Sequence, residues 1–237
     1  MGNSYFQFKQ FRIEQGDCAM KVTTEGCILG AWVSSSSPKR ILDIGSGTGL
    51  LSLMLAQRYA CPIEAVEIDK LTANQAQYNF QNSKWKNRLT IHPLDIKDFV
   101  KKCDHSFDLI ISNPPFFKKN FKSENVAKNL AIHDQNLPQE MLLMTINKML
   151  NEDGHAFVIY PEYEANQIIE VANQHGLYAV EELVIKNKPG NIVFRKIVEI
   201  TKKPSLKENV KELHIRNKQN EFTEDYIELL KPFYLHL

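Results

Sequence analysis

Two short stretches of the chain hold side chains whose types and order can do chemistry. The first, Asn113-Pro114-Pro115-Phe116, follows the apolar run Phe107 to Ser112. The side-chain oxygen of Asn113 and the carbonyl of Pro114 can each accept one hydrogen from a planar NH2 group, while Phe116 covers the ring that carries it. Each proline ends a strand and biases the residue before it toward an extended backbone, so the chain leaves stiffly with its carbonyls free. On their own these residues describe a surface turn equally well. The second stretch runs from Asp43 to Gly49 and puts Gly45, Gly47 and Gly49, three of the chain's 10 glycines, around Ser46 and Thr48. Glycines let the backbone approach a ligand, and a following helix offers unsatisfied N–H groups. A dinucleotide loop has the spacing Gly-x-Gly-x-x-Gly. Gly-x-Gly-x-Gly behind an aspartate suits a nucleoside cofactor with an ammonium and a sulfonium but no phosphate, which points to S-adenosylmethionine in place of NAD.

The elements around these stretches alternate as strand and helix, the pattern of a parallel sheet covered on both faces. Ile41 to Ile44 reads as the first strand and Leu50 to Tyr59 as its helix. Ile63 to Asp69 reads as the second strand, with Glu67 at its end, where an acid can bond both ribose hydroxyls. Ile68 would then lie against the adenine, and Asp69 caps the helix Lys70 to Gln81. After a third strand, Leu89 to His92, Asp95 either accepts from the cofactor's adenine amine or caps the helix beginning at Ile96. Phe107 to Ser112 is the fourth strand, Gly154 to Tyr160 the fifth, and strands near Ala179 to Ile185 and Ile192 to Ile200 complete a seven-stranded sheet. Helices are expected after Pro138, from Glu162 to Gln174, and from Tyr226 to Leu230 behind the cap Thr223-Glu224-Asp225. Upstream, Phe6 to Val22 reads as two extended pieces turning at Gln15-Gly16-Asp17, and Thr24 caps a short helix through Ile28 to Val33.

Composition bounds the partners. The net charge of +1 and 43% hydrophobic content fit a core-forming domain with no global electrostatic message. Charge is local instead. Lys118, Lys119, Lys122 and Lys128 lie just past the Asn-Pro-Pro motif, in a loop that ends near His133 and Asp134. From Lys186 to Lys218 ten basic residues, Lys186, Lys188, Arg195, Lys196 and Arg216 among them, stand against three acids. Such segments hold phosphates and stack bases, or they are merely solvated. The four cysteines are scattered, with no Cys-x-x-Cys or paired-histidine spacing, so reduced thiols of a cytoplasmic protein without a metal site are expected. No apolar run has the length of a membrane helix.

With Asp43 to Gly49, Glu67 and Asn113 to Phe116 in view, the chain resembles the class I, Rossmann-like S-adenosylmethionine-dependent methyltransferases that modify exocyclic or amide nitrogens. More narrowly, it is similar to the bacterial tRNA-valine adenine-N6 methyltransferases, which modify the adenosine 3′ of the anticodon. Phe6 to Phe11, Cys18 to Val22, Leu29 to Trp32, and Phe222 to Tyr226 with Phe233 to Leu235 carry that narrower likeness. The resemblance implies one methyltransferase domain over 1–237: an N-terminal cofactor segment at 1–37, a catalytic core at 38–200 and a C-terminal appendage at 201–237. It implies S-adenosylmethionine as cofactor and a tRNA anticodon loop as partner. It also puts Thr24 at the cofactor's methionine end. The family's usual Gly-Thr-Asp-Gly is Thr23-Thr24-Glu25-Gly26 here, and its frequent tyrosine after the prolines is Phe116. A guanine-N2 methyltransferase of ribosomal RNA, a protein-glutamine methyltransferase and a non-catalytic RNA-binding module remain competing expectations, since the first two use the same acceptor geometry.

Overall fold

A computed structural model of the chain describes residues 3–16, 18, 20–115, 137–205 and 209–237. Phe116, Lys118, Lys119, Lys122, Lys128, His133 and Asp134 lie outside the described residues. A small hairpin, β1 (Tyr5–Gln7) and β2 (Arg12–Glu14), leads into α1 (Thr24–Trp32). The core follows as β3 (Ile41–Ile44), α2 (Leu50–Arg58), β4 (Ile63–Val66), α3 (Lys70–Gln81), β5 (Leu89–His92), α4 (Ile96–Lys102) and β6 (Phe107–Ser112). It continues through α5 (Gln139–Met149), β7 (Leu150–Tyr160), α6 (Glu162–Ala172), β8 (Tyr178–Lys186), β9 (Val193–Thr201), β10 (Asn209–His214) and α7 (Glu224–Leu230).

Among the described residues the main sheet has eight strands in the order β10-β8-β9-β7-β6-β3-β4-β5. Only β9 runs against the others. Its central strands are short apolar runs buried on both faces, and their alternation sorts the side chains into two layers. Ile41, Ile63, Leu109 and Phe157 face the layer covered by α1, α2, α3 and α7. Leu42, Ile110, Ala156 and Val158 face the layer covered by α4, α5 and α6. Burying each such side chain contributes roughly 1.5–3 kcal/mol.

The chain order sets the position of the site. From β3 the chain moves outward through β4 and β5, then returns to lay β6 on the other flank of β3. That reversal opens a crevice at the carboxyl ends of β3 and β6, where Ile44 pairs with Ser112. The residues that follow these two are Gly45 and Asn113.

Several boundaries differ from expectation. Among the described residues the sheet has eight strands and not seven, because Asn209–His214 adds an edge strand parallel to β8. An edge strand needs little apolar surface, and in β10 only Leu213 is buried. The N-terminal turn falls at Phe8 to Phe11, where Phe8 N donates to the Phe11 carbonyl, and not at Gln15-Gly16-Asp17. β7 begins at Leu150, four residues before the expected Gly154 (154 − 150), while β4 stops at Val66. The closing segment is docked on the N-terminal hairpin: Phe233 is buried, Phe8 bridges Tyr234, and Lys9 N donates to the Phe233 carbonyl.

Candidate active site

The glycine loop is held open by its backbone. Gly45, Gly47 and Gly49 have φ values of 70°, 55° and 80°, a region that side chains other than glycine's adopt only with strain. Both Gly45 N and Ser46 N donate to the Val66 carbonyl, at 2.9 and 3.1 Å, which fixes the loop to the end of β4. A Cβ on Gly45 or Gly47 would meet nothing within 4 Å, whereas one on Gly49 would collide with the ring of Phe80. The first two glycines therefore face open space, and the third lets the loop lie against α3. Thr48 is tied down by Asn79, whose buried amide donates to the Thr48 carbonyl at 2.9 Å and to the Glu14 carbonyl at 3.0 Å.

Three polar atoms around this loop are buried without a hydrogen-bond partner among the described residues: Asp43 Oδ1, Ser46 Oγ and Asn113 Oδ1. Such atoms cost stability unless something satisfies them. Asp43 is fully buried, and its other oxygen accepts from Ser52 N at 3.1 Å and Ser52 Oγ at 2.7 Å. Burial pushes its carboxyl up to about 7, against the lowering effect of the two Ser52 hydrogen bonds. One orphaned acceptor, Asp43 Oδ1, and one orphaned hydroxyl, Ser46 Oγ, thus belong to the glycine-loop stretch itself, while Asn113 Oδ1 follows the end of β6. This donor set and its cradle fit a cofactor bearing an ammonium and hydroxyls. The expected acceptor motif begins where β6 ends: Asn113 is half-buried, Pro114 buried and Pro115 exposed.

Glu67 stands across the loop. Its Oε2 accepts from Gly47 N at 2.9 Å and its Oε1 from Asp69 N at 3.0 Å. Each oxygen keeps a second lone pair for an incoming hydroxyl. Ile68 is exposed, at 49%, an apolar side chain beside the crevice. Asp69 caps α3 through Thr72 N, and Asp95 caps α4 through Lys97 N at 2.7 Å. The helix-cap role of Asp95 is thereby met, with its second oxygen left over.

Helix α1 closes the third side. Thr23, and not Thr24, is its N-cap, with the Thr23 hydroxyl accepting from Gly26 N at 3.2 Å. Thr24 is the first helical residue. A threonine in place of glycine here provides a capping oxygen that glycine lacks. A Cβ on Gly26 would stand 3.6 Å from Asn113 Nδ2, so the first turn of α1 abuts the end of β6. Glu25 in that turn lies 3.6 Å from the Arg195 guanidinium of β9. The sequence signal for this contact was weak, since the two residues are far apart in the chain.

The long basic segment divides into two groups. Because β9 runs backward, Arg195 and Lys196 near its start share the carboxyl edge with Lys186 at the end of β8 and with Asn113. Lys188 and Arg216 lie just past β8 and β10 at that edge. Lys202 and Lys203 follow the other end of β9 and pair with Glu152 and Asp153. Many of these cations have carboxylate partners from outside the segment or within it: Lys196 with Glu182 at 3.0 Å, Lys211 with Glu181 at 2.9 Å, and Lys186 with Glu212 at 2.8 Å. The local excess counted along the sequence is therefore partly neutralised in space. Lys207 lies outside the described residues. No helix among the described residues is long and apolar enough to cross a membrane, and no cluster of three metal-ligating side chains occurs among them.

This is a class I methyltransferase fold. An Agrobacterium tumefaciens structure described as a predicted O-methyltransferase superposes with a TM-score of 0.66 over 87% of this chain and 95% of its own, at 19% identity. The family model of the methyltransferase small domain matches residues 27–162. The chain belongs to the family of tRNA1(Val) (adenine(37)-N6)-methyltransferases within that class. It is 42% identical to the Trichodesmium erythraeum member over 99% of both chains, and 38% identical to the Cytophaga hutchinsonii member over 100% of both.

Proposed function

We propose that this chain transfers a methyl group from S-adenosylmethionine to the exocyclic N6 of adenosine 37 in a valine tRNA. The observation that carries the reading is the buried, unpartnered Oδ1 of Asn113. It stands at the end of β6, beside the glycine loop, in a chain that shares 42% of its residues with a relative of that name. The whole chain, 1–237, then works as one methyltransferase domain in the cytoplasm.

The residues divide the work as follows. Gly45, Ser46, Gly47 and Gly49 give a backbone cradle, Asp43 opposes the cofactor's positive charge, and Glu67 accepts from the ribose hydroxyls. Ile68 packs on the adenine, Asp95 uses its remaining oxygen on the adenine amine, and Thr24 meets the methionine end. The cofactor, when bound, supplies an electrophilic methyl group on a sulfonium. Asn113 Oδ1 and the Pro114 carbonyl accept the two hydrogens of the substrate amine, while Pro115 stiffens the turn and Phe116 covers the base.

An adenine amine is a poor nucleophile because its lone pair is delocalised into the ring. Two acceptors, Asn113 Oδ1 and the Pro114 carbonyl, would draw the NH2 group toward a tetrahedral shape and turn its lone pair toward the methyl group. With S-adenosylmethionine held by Asp43, the glycine loop and Glu67, the sulfonium would give up its methyl group to that nitrogen and keep the bonding electron pair. The N-methyl ammonium that results is strongly acidic and releases its proton to solvent, so no side-chain base is required. Positioning supplies most of the rate, for which about 7–11 kcal/mol is attainable. Extrusion of the base costs least from a single-stranded loop.

RNA is held along the carboxyl edge by Lys186, Lys188, Arg195, Lys196 and Arg216, with Lys118, Lys119, Lys122 and Lys128 of the segment past the motif. Mass spectrometry of nucleosides from valine tRNA, made with and without the purified protein and S-adenosylmethionine, tests the function. N6-methyladenosine at position 37 is expected. A methylated guanine, or a methylated protein glutamine and unmodified tRNA, would replace this substrate with another.

A further inference from the structure

We infer that the hairpin from Arg216 to Phe222 is a second RNA-reading element, which stacks an unpaired base other than the one that is methylated. The inference rests on the tRNA-methylating reading and adds a contact that the methyl-transfer chemistry does not use. Arg216 and Phe222 face each other across an antiparallel bridge. The Arg216 guanidinium carbon lies 4.2 Å over the Phe222 ring, and that ring stacks on Tyr226 with centroids 4.9 Å apart and planes at 20°. Tyr226 is buried, at 2%, while Phe222 is 37% exposed. The result is a planar cation and an aromatic ring built up from the core to the surface, the composition that receives an unstacked base.

The platform is rigid and correctly sited. Asn217 N donates to the Glu221 carbonyl at 2.8 Å and Thr223 N to the Ile215 carbonyl at 3.2 Å, which closes the hairpin. Arg216 N donates to the Asn187 carbonyl at 2.9 Å and Ile215 N to the Lys186 carbonyl at 2.9 Å, which moors it to the end of β8. Arg216 Nη1 donates to the Asn220 carbonyl at 2.6 Å, holding the guanidinium plane in place while leaving its charge without a carboxylate partner among the described residues. Lys218 is exposed at the tip. β10 stands four strand positions from β6 in the sheet order. At 4.7–4.9 Å per strand this is about 19 Å, too far for the hairpin to touch the base held at Asn113. It is within reach of another nucleotide of the same loop, along an edge that also presents Lys186, Lys188, Arg195 and Lys196.

The test uses the full chain with an unmodified valine-tRNA anticodon stem-loop and a series of the same RNA carrying one abasic site at each unpaired non-target position. Arg216→Ala and Phe222→Leu are expected to raise KM for the RNA about tenfold or more, with kcat within about twofold and the melting temperature of each variant checked against wild type. One abasic position should cost the wild type a similar factor and cost the variants nothing further, because both changes remove the same stack. Should Phe222→Leu unfold, Arg216→Ala carries the comparison by itself. Unchanged KM in the variants, or abasic penalties that simply add to theirs at every position, would overturn the inference. Failure of the wild type to methylate the RNA at all would instead remove the tRNA reading on which it rests.

Discussion

Ser112 Oγ donates a 2.8 Å hydrogen bond to the carbonyl of Ile44, tying the last residue of β6 to the last residue of β3. The two residues that follow them, Asn113 and Gly45, begin the acceptor motif and the glycine loop. A polar side chain at the end of a buried strand thus ties together the starts of the two stretches proposed to hold substrate and cofactor. Ser112→Ala should lower stability by about 1 kcal/mol, read from urea denaturation. It should also slow methyl transfer more than it weakens cofactor binding, since only the former needs both elements in register.

Glu67 is the hinge of the cofactor reading, because its carboxylate organises both Gly47 N and Asp69 N. Glu67→Ala should weaken S-adenosylmethionine by about 1.5–3 kcal/mol, the range for hydrogen bonds to a charged group. Calorimetric titration decides the matter, and an unchanged affinity would take Glu67 out of the site.

Asp43 predicts a pH dependence with a definite sign. Its folded-state value of about 7 exceeds the ordinary 3.8 because burial penalises the charged form. Between about pH 4 and 7 the native state keeps a proton that the unfolded chain has lost, so this group's contribution to stability falls as pH rises through that window and levels off above it. The change is on the order of a few kcal/mol. Asp43→Asn removes it, so the variant should gain on the wild type from pH 4 to 7 in parallel denaturation series. Cofactor affinity should move the other way, with the wild type favoured above pH 7, where Asp43 would offer a carboxylate to the ammonium of the proposed cofactor. Parallel stability curves for the two proteins would contradict this account.

The division of the basic segment into two edges makes a further prediction. Neutralising Lys186 and Lys188 should weaken tRNA binding and flatten its dependence on salt, because each phosphate contact releases counterions. Neutralising Lys202 and Lys203, which pair with Glu152 and Asp153 at the far end of β9, should leave the salt slope as it was. Equal effects from both pairs, measured by filter binding over a salt series, would mean that the sheet edge has no bearing on RNA.

Much of this arrangement was legible in the residues themselves. Ile41 to Ile44, Ile63 to Val66 and Phe107 to Ser112 are apolar blocks with punctuated ends, and each forms a central parallel strand. Asp69 and Asp95 both cap the helices they precede. What escaped the sequence was pairing at a distance. β10 has too few apolar residues to announce a strand and forms because β8 offers it an open edge. Thr23 displaced Thr24 as a cap because its own backbone is extended while Thr24 is already helical. The excess of lysines and arginines near the C-terminus looked unpaired because acids such as Glu25, Glu152 and Glu182 come to it from other elements. Asn79 gave only the faint sign of an amide on the apolar face of a helix, yet it ties the glycine loop to β2.

In the proposed mechanism Asn113 shapes the substrate amine, and single-turnover methyl transfer by Asn113→Ala on unmodified valine tRNA measures that role. The side-chain oxygen accepts no hydrogen bond within the described fold, so its loss should leave the melting temperature and cofactor affinity nearly unchanged. Formation of N6-methyladenosine should fall by at least about 100-fold, comparable to removing one preorganised polar contact, while Asn113→Asp, which still accepts from the amine, retains more activity. Transfer by Asn113→Ala at close to the wild-type rate would contradict the mechanism.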